Sequence, residues 1–188
     1  MAQYIEQFLP PIMDQGLNTL ENTSLGGTLA VTGATTLSST LSAAGITSTT
    51  TVAAAGVTST AGFTSSSATA GNGYATGAGG TVTQITSRST GVTINKVCGT
   101  IQTDTTSLAA AASAVFTVTN STVAIGDVVS VSIRSGSTNA ASTTGMTYVS
   151  VVAVAAGSFN IAVDNRSAAT AEVGAIIINF AVTKAVTA

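Results

Sequence analysis

The residues of this chain that could do chemistry are few and scattered. Seven acids and five bases are spread over 188 residues, with one cysteine and no histidine. Without imidazole, the commonest general base and metal ligand are both missing. Ser-His-Asp and Cys-His relays are therefore excluded, as are thiolate or imidazole zinc sites. The carboxylates Asp104, Asp127, Asp164 and Glu172 are well separated and fall at expected strand ends or turns, where a carboxylate ordinarily caps its own backbone. A shared calcium site or acid pair in space stays open as the alternative. Cys98, in the strand-like phrase INKVCGT, has no partner for an internal disulfide and is expected to be a small buried hydrophobe. Arg88, Lys96, Arg134, Arg166 and Lys184 form no patch, so phosphate neutralisation has little to work with and no nucleic-acid partner is expected. Asn-x-Ser/Thr triplets at Asn22, Asn120 and Asn165 read as asparagines in turns. No cofactor and no enzymatic activity are expected.

Composition says what must position these groups. Only 6% of residues are charged and 45% are hydrophobic, against about a quarter charged in ordinary domains. Disorder comes with the opposite balance. Ala, Val, Thr, Ser and Gly dominate, a mixture that suits pleated strands and close backbone approach. Aromatics are 4%, with no Trp, so anchors for a single large core are scarce. A surface this weakly charged favours association. No apolar run approaches the length of a membrane span. The opening MAQYIEQFLPP lacks a basic n-region and a long apolar h-region, so it does not read as a signal peptide, and assembly in a cytoplasm is expected.

Three zones follow one another. Residues 1–24 hold both prolines and a cluster of larger apolar residues: Tyr4, Ile5, Phe8, Leu9, Ile12, Met13, Leu17 and Leu20. The spacing of the first four matches one helical face, and the rest continue a broken stripe. The segment is too short to fold alone. It is either a helix capping its own molecule or a docking peptide for a larger scaffold, with a disordered tail as the third reading.

Residues 25–64 repeat one phrase: TLAVTGATTL from Thr28, TLSAAGITST from Thr40, TVAAAGVTST from Thr51, then a degenerate echo at Gly62-Phe63-Thr64. Each full copy carries an apolar residue after its first Thr and a central Gly. A repeat this short is one rung, which cannot bury its apolar side without neighbours. Slender side chains suit strands wound about a three-fold axis, with Leu29, Val31, Leu37, Leu41, Ile46, Val52, Val57 and Phe63 as the contact residues. A single-chain β-solenoid is the alternative.

Residues 65–80 form a Gly/Ser/Ala-rich linker. Residues 81–188 alternate in strand-like runs at 82–86, 92–101, 114–119, 128–134, 148–154, 158–163 and 175–182, separated by turn signals. This predicts an antiparallel, jelly-roll-like sandwich of seven or eight strands. Segments 116–133 and 159–180 read as two hairpins, and most aromatics read as core.

The block GAGGTVTQITSRSTGVTINKVCGTI at 77–101, followed by FTVTNSTVAIGDVVSVSI and AGSFNIAVDNRS, is similar to the C-terminal domain of tailed-bacteriophage virion proteins described as head fibres, head decoration proteins or tail-fibre-like appendages. The upstream repeats resemble phage fibre shafts. The resemblance implies a homotrimer attached by an N-terminal segment and displaying a distal β domain. The resulting expectation is a mainly β structural protein of the virion. Its docking segment (Tyr4, Ile5, Phe8, Leu9, Ile12, Met13, Leu17) would bind the major capsid protein, ahead of a trimeric shaft and a knob. A tail appendage whose knob binds a host-surface glycan is the alternative, and an ice-binding Thr array is a third.

Overall fold

The computed structural model describes residues 32–44, 46–69, 71–140 and 145–185. The docking residues Tyr4 to Leu17, and Leu29 and Val31 of the repeat, lie outside these. The chain divides into two units, Met1–Thr58 and Ser59–Ala188. The described residues of the first unit carry no strand or helix, and every one is exposed.

The second unit is all β among its described residues, with eight strands: β1 (Gly79–Thr83), β2 (Val92–Thr93), β3 (Cys98–Gln102), β4 (Ser113–Thr119), β5 (Val128–Ser135), β6 (Thr147–Ala155), β7 (Ser158–Asn165) and β8 (Ile177–Thr183). They form two four-stranded sheets, ordered β1-β3-β8-β5 and β2-β4-β7-β6. Strict alternation builds the strands: every second residue of β4 (Ala114, Phe116, Val118) is buried and those between are exposed, as the two-residue period of a half-solvated strand requires. Inward side chains of both sheets meet in one core that includes Ile101, Phe116, Val118, Phe159, Ile161, Ile178, Phe180 and Val182. Each fully buried side chain of this size contributes about 1.5–3 kcal/mol. Phe159 and Phe180 stitch the sheets together at 5.6 Å between ring centroids, tilted by 46°, an arrangement aromatic pairs favour.

Both sheets are mixed rather than antiparallel. β1 pairs with β3 and β2 with β4 in parallel register; the other four pairings are antiparallel. The cause is the path of the chain. The first six strands alternate between the sheets; β3 returns beside β1 and β4 beside β2, each running the same way as its neighbour, while β8 and β7 separate them from β5 and β6. The run at 92–101 is accordingly two strands. After β2 the Lys96 N–H bonds back to the Ile94 carbonyl at 3.0 Å, and the Asn120 side chain holds the Lys96 carbonyl at 2.7 Å, turning the chain toward the other sheet.

The two expected hairpins are also absent: β4 and β5 lie in different sheets, as do β7 and β8. A hairpin needs a tight return, whereas the 120–127 connection is fixed by inward side chains. Asn120 accepts from Thr122 N–H and Oγ. Asp127 accepts from Ala124 N–H and pairs with Lys184. The tight return that does exist is β6 to β7 through Ala156-Gly157, with Gly157 at φ +78°.

Candidate functional site

Three features outside the apolar core carry functional information. The first is the apolar series of the repeat. Leu37, Leu41, Ile46, Val52, Val57 and Phe63 are all exposed, from 56% at Leu37 to 74% at Ile46. Scattered exposed apolar residues are ordinary; here they recur along the repeat.

The second is a buried polar centre. Glu172, in the loop before β8, is tied into the fold by reciprocal backbone bonds with Leu108 at 2.8 and 2.9 Å, and its side chain is completely buried. One carboxylate oxygen accepts from Thr138 N–H (2.9 Å), Thr138 Oγ (2.6 Å) and Gly174 N–H (2.9 Å). The other accepts from Ser137 Oγ (2.5 Å), Thr147 Oγ (2.9 Å) and Asn139 N–H (3.2 Å). Burial alone would raise its pKa. The hydrogen bonds from Ser137, Thr138 and Gly174 outweigh that and hold it at about 2, as multiple donors to a carboxylate do.

Glycine makes this approach of two chain segments possible. A Cβ on Gly174 would sit 1.9 Å from the Gly136 carbonyl oxygen, and one on Gly136 2.0 Å from that of Ala175. Gly136 also takes φ +88°, a conformation that L side chains resist.

Arg88 stands beside the same loop, buried to 3% exposure. Its guanidinium does not fork onto the Glu172 carboxylate. It donates to the carbonyls of Thr106 (2.5 Å), Glu172 (3.3 Å) and Gly174 (2.7 Å) and to Thr103 Oγ (3.1 Å). Burial lowers its pKa, opposed by the charges of Glu172 and Asp104. Asn165 adds a further hub, donating to the carbonyls of Leu108, Ala109 and Thr170 and accepting from Asn139. A carboxylate with six donors on it and no access to water is a strut: it has neither the lone pairs nor the basicity to take a proton from a substrate.

The third feature is an open cleft of about 290 Å³ lined by Ile133, Arg134, Ser135, Gly136, Ser137, Ala140 and Thr147. It offers one guanidinium and hydroxyls, with the Ser137 and Thr147 hydroxyls already committed to Glu172.

The expected turn role holds for Asp104, which caps Thr106 through N–H and Oγ, and for Asp127. Glu172 caps the Gly174 N–H but also gathers donors from distant segments, and the turn role fails for Asp164, which lies in β7 and accepts from Ser113 across the ladder. Asn120 and Asn165 do sit at turns, each accepting from the backbone N–H two residues on, and both are buried hubs as well. Cys98 is only half-buried, on the outer side of β3. Phe116, Phe159 and Phe180 are core, whereas Tyr148 is 46% exposed and Tyr74, in the linker, hands its hydroxyl hydrogen to the Val182 carbonyl. Sequence reasoning missed Arg88 and Glu172 as a centre. The available signal was two charges inside otherwise apolar, turn-rich stretches of a nearly uncharged chain. Among the described residues no cluster of three or more Cys, Asp or Glu side chains is placed to hold a metal, and no helix is long and apolar enough to cross a membrane.

These features define a two-sheet β domain with a structural polar centre, joined in sequence to an apolar-bearing repeat. Comparison with family models, with curated proteins and with solved structures gives no match.

Proposed function

We propose that the chain is a non-enzymatic structural protein of a tailed-phage particle, a homotrimeric head fibre or capsid decoration protein. Residues 1–24 dock on the major capsid protein, residues 25–64 wind with two other copies into a short shaft, and the two-sheet unit is displayed as a knob. The observation that carries this reading is the exposed apolar series at Leu37, Leu41, Ile46, Val52, Val57 and Phe63. A single chain leaves these side chains in water, and three chains around an axis would bury them, each side chain contributing about 1.5–3 kcal/mol at full burial. The buried, hydrogen-bonded Glu172 supports a scaffold rather than a catalyst.

The test mixes purified protein with empty capsids and, separately, with host cells, then repeats both with residues 1–24 removed. Capsid binding lost on truncation is the expected result. Binding to cells that ignores the truncation, with none to capsids, contradicts the reading.

A further inference from the structure

From Asn22 to Ser87 the chain carries no charged side chain. One dipeptide within that stretch has the chemistry to make a charge by itself. Asn72-Gly73 is the sole asparagine–glycine pair in the sequence, and it lies at a bend of the linker with both residues exposed.

An asparagine turns into an acid without a catalyst when the backbone nitrogen of the next residue attacks its side-chain carbonyl, which is one reason the residue is thermolabile. The step needs a free side-chain amide, a free N–H after it, and backbone freedom to close a succinimide ring. Asn72 meets all of these. Among the described residues no hydrogen bond engages its amide or the Gly73 N–H. Gly73 has no Cβ to screen its nitrogen, and a Cβ built there would meet nothing within 4 Å. Glycine also gives the backbone its widest range of angles.

The other described asparagines are locked against the same step. Asn120, Asn139 and Asn165 are buried, and their side-chain amides donate to the carbonyls of Lys96, Thr170 and Leu108. The nitrogen that would attack is itself engaged after Asn95, Asn120 and Asn165. Lys96 N–H bonds the Ile94 carbonyl, Ser121 N–H the Asn95 side chain, and Arg166 N–H the Met146 carbonyl. Asn160 and Asn179 lie within β7 and β8, whose ladders hold the backbone extended.

We propose that Asn72 is a site of spontaneous deamidation, which plants a carboxylate in the charge-free stretch just ahead of Tyr74. The Gly73 nitrogen bonds to Asn72 Cγ, and its proton leaves with the side-chain nitrogen as ammonia. Water then opens the succinimide at either carbonyl. The product is aspartate or, with one extra methylene in the main chain, isoaspartate. Water is the only co-reactant, and nothing is oxidised or reduced. The formal net charge of −2 becomes more negative by one. Loss of ammonia makes the step irreversible, so the acid fraction records the age of the molecule. Tyr74, two residues on, hands its hydroxyl hydrogen to the Val182 carbonyl, so the change falls where the linker meets the β unit. The reaction lies within one chain, so it stands or falls independently of trimerisation and capsid docking.

The test ages the full chain at mildly alkaline pH and physiological temperature. Chymotryptic cleavage after Phe63 and Tyr74 releases a peptide in which Asn72 is the only asparagine. Mass spectrometry follows its amide-to-acid conversion, and isoaspartyl methyltransferase labels the isoaspartate share. Conversion at Asn72 should run at least about tenfold faster than at Asn95, Asn160 or Asn179, with both acids formed. Gly73→Ala puts a Cβ beside the attacking nitrogen without a clash. It should slow the conversion at least about tenfold while the urea midpoint stays in place. Conversion at Asn72 no faster than at Asn160 or Asn179 overturns the proposal. So does a rate that Gly73→Ala leaves unchanged.

Discussion

Replacing Glu172 by Gln tests the polar centre at the atom that organises it. Ionised in a site where its pKa is about 2 against an ordinary 4.5, Glu172 contributes about 3 kcal/mol of stability at neutral pH. The sign follows from the depressed folded value: the contribution is fully present above the unfolded pKa and drains away as pH falls through the folded one. Less than half of it remains by pH 3, and it continues to shrink toward pH 2.5. Gln keeps the shape but accepts through one atom only. Whichever way the amide turns, its NH2 faces a backbone N–H that cannot rotate away: Thr138 and Gly174 on one side, Asn139 on the other. Leaving such a buried donor unpaired costs about 1–3 kcal/mol, consistent with the linkage figure. Urea unfolding of both proteins, at one fixed protein concentration, should show E172Q about 3 kcal/mol less stable at pH 7, with the gap closing to below about 1 kcal/mol at pH 2.5. Asp104 and Asp127, whose pKa values are also lowered, are common to both proteins and cancel in the difference. A gap under about 1 kcal/mol at pH 7, or one that stays constant down to pH 2.5, refutes the reasoning.

Arg88→Met removes four hydrogen bonds, two of them buried and two half-buried, and should cost about 3 kcal/mol or more in urea unfolding; Arg88→Lys should recover less than half of it, because one ammonium cannot span a planar fork of acceptors. Gly136→Ala combines a positive φ with a backbone oxygen 2.0 Å from the new Cβ and should cost about 3 kcal/mol or more. Gly157→Ala has a positive φ but open space and should cost about 1–2 kcal/mol; equal losses at the two sites would contradict the close-approach argument. Replacing Leu41, Ile46 and Val52 together by Asp should break self-association, seen by sedimentation, while the near-ultraviolet circular dichroism of the β unit persists.

The strands were legible because their alternation is strong: β4, β5 and β8 read directly from SAVFTVT, VVSVSIRS and IINFAVT. Their partners were not, because period two tells which face is buried and nothing about which strand lies alongside. Sheet-crossing connections at 120–127 and 166–176 therefore looked like hairpin turns. The polar centre was hidden for a related reason. Arg88, Thr138 and Glu172 are far apart in the chain, and the close contact at Gly136 and Gly174 gathers donors onto one carboxylate. Most aromatics read as core by residue type, whereas Tyr148 alternates with Val149 and Val151 and so stands on the opposite face.

The most direct test of the central claim, that the repeat makes a shaft only in company, is sedimentation equilibrium of the intact chain from about 1 to 50 μM. The account predicts a single species of three chain masses across that range. A monomer at micromolar concentration would contradict it.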